Sequence, residues 1–248
     1  MSARLPGKVA IVTGAARGIG AAIAQRFAAE GAHVIGADRE AGARLEGVDL
    51  RPVDITDVEA VQHLVDAVRE RYGRVDILVN NAGRNVFRDP LTLSEEDWTH
   101  CLAVDLKGAW NLCKAVLPAM LEQGAGSIVN IASVHGHKVL ADTFPYPIAK
   151  HGLIGMTKAL GIQYAARGIR VNSISPGLIL TPQIEAWFAA QPDPEHERRR
   201  QTEILPCKRI GSPQEVAAAA LFLASDEASF INATDLLVDG GRSQLYHD

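Results

Sequence analysis

The 248-residue sequence predicts an α/β protein: a doubly wound domain on a parallel sheet with helices on both faces. Three observations point there. Short runs of Val, Ile and Leu alternate with amphipathic stretches of helical length, as in strand–helix–strand units. The first run, KVAIVT, enters a glycine-rich turn that leads directly into a helix. No linker, repeat or low-complexity segment interrupts the series, so one domain over residues 1–248 is expected.

Each element has its own justification. Residues 8–13 (KVAIVT) are a short β-rich run, as a strand buried on both faces requires. In the next stretch Ile19, Ile23 and Phe27 recur every four residues, which is a helical stripe, and Gly31 is placed to end it. Residues 33–38 (HVIGAD) read as a second strand. Residues 57–73 repeat Val58, Val61, Val65 and Val68, an amphipathic helix closed by Gly73. Residues 75–80 form a strand, and a helix runs from about Ser94 to about Leu121. A strand over 127–132, a helix over 147–167 and a strand over 169–174 follow. Ser212 and Glu215 make a capping box, with Pro213 at the first helical position of a helix over 212–225. DLLVDGG is the last strand. In such a sheet ligands lie at the carboxyl ends of the strands.

Composition narrows the function. Lys and Arg total 25 against 29 Asp and Glu, a net charge of −4, so nothing suggests the clustered cations that nucleic acid needs. Arg198, Arg199 and Arg200 sit among Glu195, Glu197 and Glu203 and read as a solvated helix face. The three cysteines have no metal-ligand or CxxC spacing and suit a reducing compartment, and no metal site is expected. The opening MSARLPGK has no apolar stretch after its charges, and no run reaches the length of a membrane span. A cytoplasmic protein is expected.

Two local patterns carry chemistry. In TGAARGIG (13–20), Gly14 permits a tight turn, and Gly18 and Gly20 permit close approach of a phosphate and close helix–strand packing. The helix that follows offers amide donors to a pyrophosphate. Asp38, ending the second strand, suits an adenosine ribose and would repel a 2′-phosphate, which favours NAD. Arg17 and Arg39 pull towards NADP. In FPYPIAKHG, Tyr146 and Lys150 lie four apart and share a helix face. Pro147 is tolerated if Tyr146 begins that helix.

These motifs together, in order along nearly the whole chain, resemble the short-chain dehydrogenase/reductase family: TGAARGIG at 13–20, DI at 54–55, NNAG at 80–83, Ser133 in NIASVHG, YPIAK at 146–150, and PG at 176–177 with Thr181 following. The resemblance implies a Rossmann-like sheet of seven parallel strands, a nicotinamide cofactor and a homotetramer. It implies that Gly14, Arg17, Gly18, Ile19, Gly20, Asp38 and Arg39 hold the adenosine and pyrophosphate. Asp54 and Ile55 would flank the adenine. Asn81 and Gly83 would lie against the cofactor, with Asn80 structural, and Pro176, Gly177, Ile179 and Thr181 would meet the nicotinamide end. Ser133 would bind the reacting oxygen. Tyr146 would be the acid/base, its proton loosened by the Lys150 ammonium, and Lys150 would also hold the nicotinamide ribose.

The sequence departs from the family pattern twice. Asp105, in VDLKG, stands where the family has an asparagine whose main-chain carbonyl serves a proton relay to the lysine. Any residue keeps that carbonyl, so a backbone role is the expectation. A carboxylate near Lys150 would instead weaken its influence on Tyr146. In INATD (231–235) a Thr-Gly pair is replaced, with Asn232 better suited than Ala233 to a left-handed turn. Residues 183–204 fall where the family has a substrate lid. Trp187 and Phe188 would either cover a ligand or pack as ordinary helix residues, and at least one of His135, His137 and Phe144 should face the pocket. The expected activity is NAD-dependent oxidation of a secondary alcohol, with hydroxy acids or sugar-derived alcohols as loosely suggested substrates. An NADP-dependent ketone or 3-oxoacyl reductase and a non-catalytic dinucleotide-binding protein are the alternatives.

Overall fold

Why the strands are so apolar is visible in their two-sided burial. The computed structural model describes residues 3–40 and 44–245; Met1 and Ser2, which open the N-terminal stretch read above, lie outside them. In chain order the elements are β1 (Val9–Thr13), α1 (Gly18–Ala29), β2 (His33–Asp38), β3 (Val48–Pro52), α2 (Val58–Tyr72), β4 (Ile77–Asn80), β5 (Phe87–Arg88), α3 (Glu95–Leu102), α4 (Gly108–Gln123), β6 (Gly126–Ile131), β7 (Phe144–Pro145), α5 (Tyr146–Tyr164), β8 (Ile169–Pro176), α6 (Pro182–Ala189), α7 (Pro194–Glu203), α8 (Pro213–Ala224) and β9 (Asp235–Val238). Seven strands form one parallel sheet in the order β3-β2-β1-β4-β6-β8-β9. Along β1, Ala10 and Val12 enter a core shared with α1 and α8, while Val9 and Ile11 enter a second core shared with α2 and α4. Each face therefore needs its own apolar set, and the strand reads as unbroken hydrophobic sequence.

The residue pattern alone yields six of the seven strands. The missing one, β3, pairs only with β2 and ends at Pro52. Val48 and Leu50 pack inwards while Asp49 and Arg51 carry an exposed ion pair, an alternation too short to stand out. The two-residue strands β5 and β7, also unpredicted, pair antiparallel through Phe87–Pro145 and Arg88–Phe144.

The helix expected from about Ser94 is not uniform. Ser94 caps α3 by accepting the Asp97 amide at 3.0 Å. A single π-helical turn, Ala103–Lys107, then inserts before α4, and Gly108 donates its amide to the Ala103 carbonyl. Asn232 is not the left-handed residue of the INATD turn. Ala233 takes φ +57, and the Asn232 side chain is occupied instead by the Val171 amide at 2.9 Å and the Gly161 carbonyl at 2.8 Å. Among the described residues no helix is long and apolar enough to cross a membrane.

Candidate active site

Strand order reverses between β1 and β4, and the loops leaving the two strands separate there to open a cleft of about 500 Å³ at their carboxyl ends. Its first wall is the glycine loop. Gly14 and Gly18 have φ of +64 and +60, a conformation that side chains resist. No side chain caps the start of α1, and its first residues Gly18 and Ile19 line the cleft, so uncapped amides of the first turn are available to an anion there. Gly20 is the exception among the expected cofactor residues, since it is not part of the cleft wall. A Cβ there would lie 2.1 Å from the Gly14 carbonyl oxygen and 2.4 Å from the Asn81 amide nitrogen, so this glycine serves helix–strand contact.

A set of part-buried hydrogen bonds holds the loop in place. Asn81 donates its side-chain amide to the Thr13 carbonyl at 2.9 Å and the Gly14 carbonyl at 3.2 Å. Thr13 Oγ1 accepts the backbone amides of Asn81 and Ala82 at 2.9 and 3.0 Å. Asn81 does border the cleft, but its side chain is committed to the loop. Asp38 sits on the wall with Oδ2 accepting the Ala16 amide at 3.0 Å. Arg17 and Arg39 also line the cleft, and Arg17 is paired with exposed Glu40 at 3.4 Å.

The remaining expected residues follow around the wall. Asp54, Ile55, Gly83, Pro176, Gly177, Ile179 and Thr181 all border the cleft. Burial resists ionisation of Asp54, but the Thr56 hydroxyl and amide on its Oδ1 outweigh it and hold the carboxyl below its usual range. Ile55 is pinned by Asn111, which donates to its carbonyl at 3.0 Å. Thr181 caps α6 by accepting the Ile184 amide at 3.3 Å. Arg84, Asn85, His100 and Val104 also line the cleft and were not anticipated. They sit in a loop and at a helix junction where no spacing marks them.

Ser133, Tyr146 and Lys150 meet at the deep end. Tyr146 is the first residue of α5, so Pro147 falls in the first turn, where its missing N–H costs nothing. The helix is fixed to the sheet by a buried chain in which Asn80 donates to Asn130 at 2.8 Å and Asn130 to Thr157 at 2.9 Å, a structural part for Asn80. Lys150, only 4% exposed, donates to the Ile131 carbonyl at 3.2 Å and lies 5.3 Å from the Tyr146 ring centre. Burial pushes the Tyr146 phenol up from its usual value. Lys150 and the Ser133 hydroxyl oppose that shift, and Asp105 adds to it.

Asp105, expected to act through its main-chain carbonyl, also turns its side chain into the site. Its carboxylate is buried and faces Lys150, with Oδ1 at 3.5 Å from Nζ. Burial pushes the Asp105 carboxyl up despite that ammonium, while Lys150 itself is held above its usual value by Tyr146 and Asp105 against burial.

Behind the cleft wall, Phe87 and His135 stand edge-on to the Tyr146 ring at 5.6 and 5.8 Å. Burial lowers the His135 pKa. His137 turns away to Asp235 at 2.7 Å and Phe144 packs on Trp98; none of the three candidates lines the cleft itself, and His135 comes nearest to it through the Tyr146 ring. Of Trp187 and Phe188, Phe188 is buried and Trp187 is exposed beside it; neither lines the cleft, where the α6 residues are Pro182, Gln183 and Ile184. Arg198, Arg199 and Arg200 each pair with a nearby Glu on an exposed face. Among the described residues no cluster of His, Cys, Asp and Glu could hold a metal.

Comparison with known proteins agrees with this geometry. Residues 14–243 match the family model described as enoyl-(acyl carrier protein) reductase. The chain is 42% identical to D-threitol dehydrogenase of Mycolicibacterium smegmatis, over 96% of this chain and 94% of that protein. It is also 42% identical to the 3-oxoacyl-(acyl-carrier-protein) reductase FabG of Thermotoga maritima, over 96% and 98%. The ligand-free aldohexose dehydrogenase of Thermoplasma acidophilum superposes with a TM-score of 0.95 at 36% identity, covering 100% of this chain and 98% of that one. The chain belongs to the short-chain dehydrogenase/reductase family, oxidoreductases that use a nicotinamide dinucleotide.

Proposed function

We propose that the protein is an NAD-dependent dehydrogenase of a secondary alcohol, with polyols and sugar-derived alcohols as the favoured substrates. The observation that carries the chemistry is the convergence of Ser133, Tyr146 and Lys150 at the deep end of a cleft whose outer end carries Asp38. A nicotinamide dinucleotide bound there supplies the hydride acceptor. The left-handed Gly14 and Gly18 and the uncapped start of α1 suit its pyrophosphate, and Asp38 suits an unphosphorylated ribose. Ser133 holds the alcohol oxygen, Lys150 keeps the Tyr146 phenolate tolerable, and that phenolate takes the hydroxyl proton, becoming the neutral phenol as hydride leaves the carbon. Because burial raises the Tyr146 pKa, the base form grows as pH rises, so oxidation should accelerate into the alkaline range.

The polyol reading is supported by the D-threitol and aldohexose dehydrogenases. The equally similar 3-oxoacyl reductase, with Arg17 and Arg39 on the cleft, supports the NADP-dependent rival. Pairing of Arg17 with Glu40 weakens that rival. We also take the α6–α7 segment as the substrate lid, and a cytoplasmic homotetramer as the working form.

The test is a panel of polyols, hydroxy acids and 3-hydroxyacyl thioesters with NAD⁺ and NADP⁺, read by absorbance of the reduced nicotinamide. NADH should bind at least ~10-fold tighter than NADPH, about 1.4 kcal/mol. Equal or reversed affinities would favour the reductase. Tyr146→Phe should bind NADH normally yet lose ~10²–10⁴ in oxidation rate. Retention of half the wild-type turnover would remove Tyr146 from the chemistry, and no turnover on any substrate would favour a non-catalytic dinucleotide-binding protein.

A further inference from the structure

We propose that the Asp105 carboxylate is a positioning residue that ion-pairs with Lys150, fixes the ammonium beside Tyr146, and at the same time offsets part of its field there. The proposal deepens the reading of Tyr146 and Lys150 as the acid/base pair and rests on it. Three independent features of the site support it. The first is placement: Asp105 is 1% exposed and Lys150 4%, and Oδ1 lies 3.5 Å from Nζ. Two charges that deep are rarely held so close unless each supports the other, because removal of either leaves a buried charge without a partner.

The second feature is the backbone built to present the carboxylate. Asp105 lies in the middle of the π-helical turn between α3 and α4. Such turns expose a residue that a regular helix would direct elsewhere, and they recur at functional sites. The same Oδ1 accepts the Arg84 amide at 3.0 Å, which ties the turn to the loop after β4. The third feature is the space left for it. A Cβ on Gly83 would stand 2.8 Å from Oδ1 and 3.5 Å from the Lys150 nitrogen, so the glycine of NNAG clears room for the pair.

The groups facing Asp105 fix the sign of its effect. From α5 come Lys150 and Tyr146, from the loop after β4 the Arg84 amide, and from α3 the Cys101 thiol, 4.0 Å from Oδ2, with His100 acting electrostatically. Cys101 is itself pushed up to about 12 by burial and by Asp105, so it stays a neutral thiol. Among the described residues Lys150 is the one cation paired with the carboxylate, and Asp105 in turn disfavours the Tyr146 phenolate. The protein therefore holds its lysine firmly charged but spends part of that charge on Asp105. The tyrosine becomes a base at a higher pH than an asparagine at this position would allow.

Asp105→Asn tests this with two readouts. One is kcat/KM for alcohol oxidation against pH. The other is ultraviolet titration of the Tyr146 phenolate, taken as each protein minus its Tyr146→Phe counterpart, which needs no substrate. Both the rising limb and the phenolate titration should move down by about one pH unit, the usual size of a single close charge. A loss of rate with neither curve displaced would mean the carboxylate only supports the fold, and an upward shift would mean it assists the tyrosine; either overturns the proposal. If Asp105→Asn does not fold by thermal melting and NADH titration, Asp105→Ser carries the same two measurements. If the wild type oxidises no alcohol, the functional reading fails, while the phenolate titration still decides the role of Asp105.

Discussion

The two ends of the cleft are built by opposite means. At the glycine-loop end the loops are held by part-buried hydrogen bonds between residues far apart in sequence: Thr13 with Asn81 and Ala82, Asn81 with Gly14, Asp38 with Ala16. At the α6–α7 end one buried side chain, Phe188, anchors α6, and α7 buries none. The rest is exposed ion pairing of Arg198 with Glu185, Arg199 with Glu195 and Arg200 with Glu197. Exposed pairs contribute at most ~1 kcal/mol each. One pocket thus joins a rigid wall to a wall that should open at much lower free energy, which suits binding a constant cofactor and admitting a variable substrate.

That contrast can be broken at either end. The largest effect is expected from Phe188→Ala, which removes a fully buried aromatic worth about 3–5 kcal/mol. Hydrogen exchange should show α6 and α7 losing protection while β1 and α1 keep theirs. Equal loss throughout would mean the two ends unfold together. At the rigid end, Gly20→Ala forces a methyl against the Gly14 carbonyl. Overpacking of that kind costs about 1–3 kcal/mol, and calorimetry should show it mainly as weaker NADH binding. Unchanged affinity would show that the loop is softer than its hydrogen bonds suggest. Asp38→Ser should then narrow the NADH-over-NADPH preference by ~10-fold, or about 1.4 kcal/mol; an unaltered ratio would assign the selectivity to Arg17, Arg39 or Glu40. The smallest change lies outside both ends. Ala233→Gly relieves a left-handed alanine and should raise stability by about 1 kcal/mol in a denaturant melt without moving either affinity.

The same contrast governs what the sequence discloses. Where backbone geometry admits few residue types, the chain is readable. Gly14 and Gly18 must take positive φ, Tyr146 and Lys150 must share a helix face, and the Ser212–Glu215 capping box appears as written. Strands buried on both faces announce themselves in the same way. Legibility fails where the controlling fact is a partner distant in sequence or a local irregularity. The β3 edge has only five residues and a proline, and β5 and β7 have two residues each. The direction of the Asp105 side chain depends on a π turn that no spacing betrays, and Arg84 and His100 reach the cleft from a loop and a helix end. In α6 the adjacent Trp187 and Phe188 divide between outside and inside, which the helical repeat does not decide without knowing what lies opposite.

The π turn also makes length, rather than composition, the sensitive quantity in this part of the chain. Its Gly108-to-Ala103 bond spans one residue more than an α-helical bond, which shifts everything after it by about 100° of helical phase. Upstream, the helix directs Cys101 and Leu102 towards Tyr146 and Ala149; downstream, it directs Leu112, Cys113, Val116 and Met120 into the core shared with α2. Those two stripes face their partners only because of that offset. Deleting one residue among 103–107 would heal the hydrogen-bond ladder into an ordinary helix, yet it would turn one apolar stripe away from its neighbour. Point changes across the turn would be survivable where a one-codon deletion would not, so relatives that share this site should tolerate substitutions there far more readily than gaps.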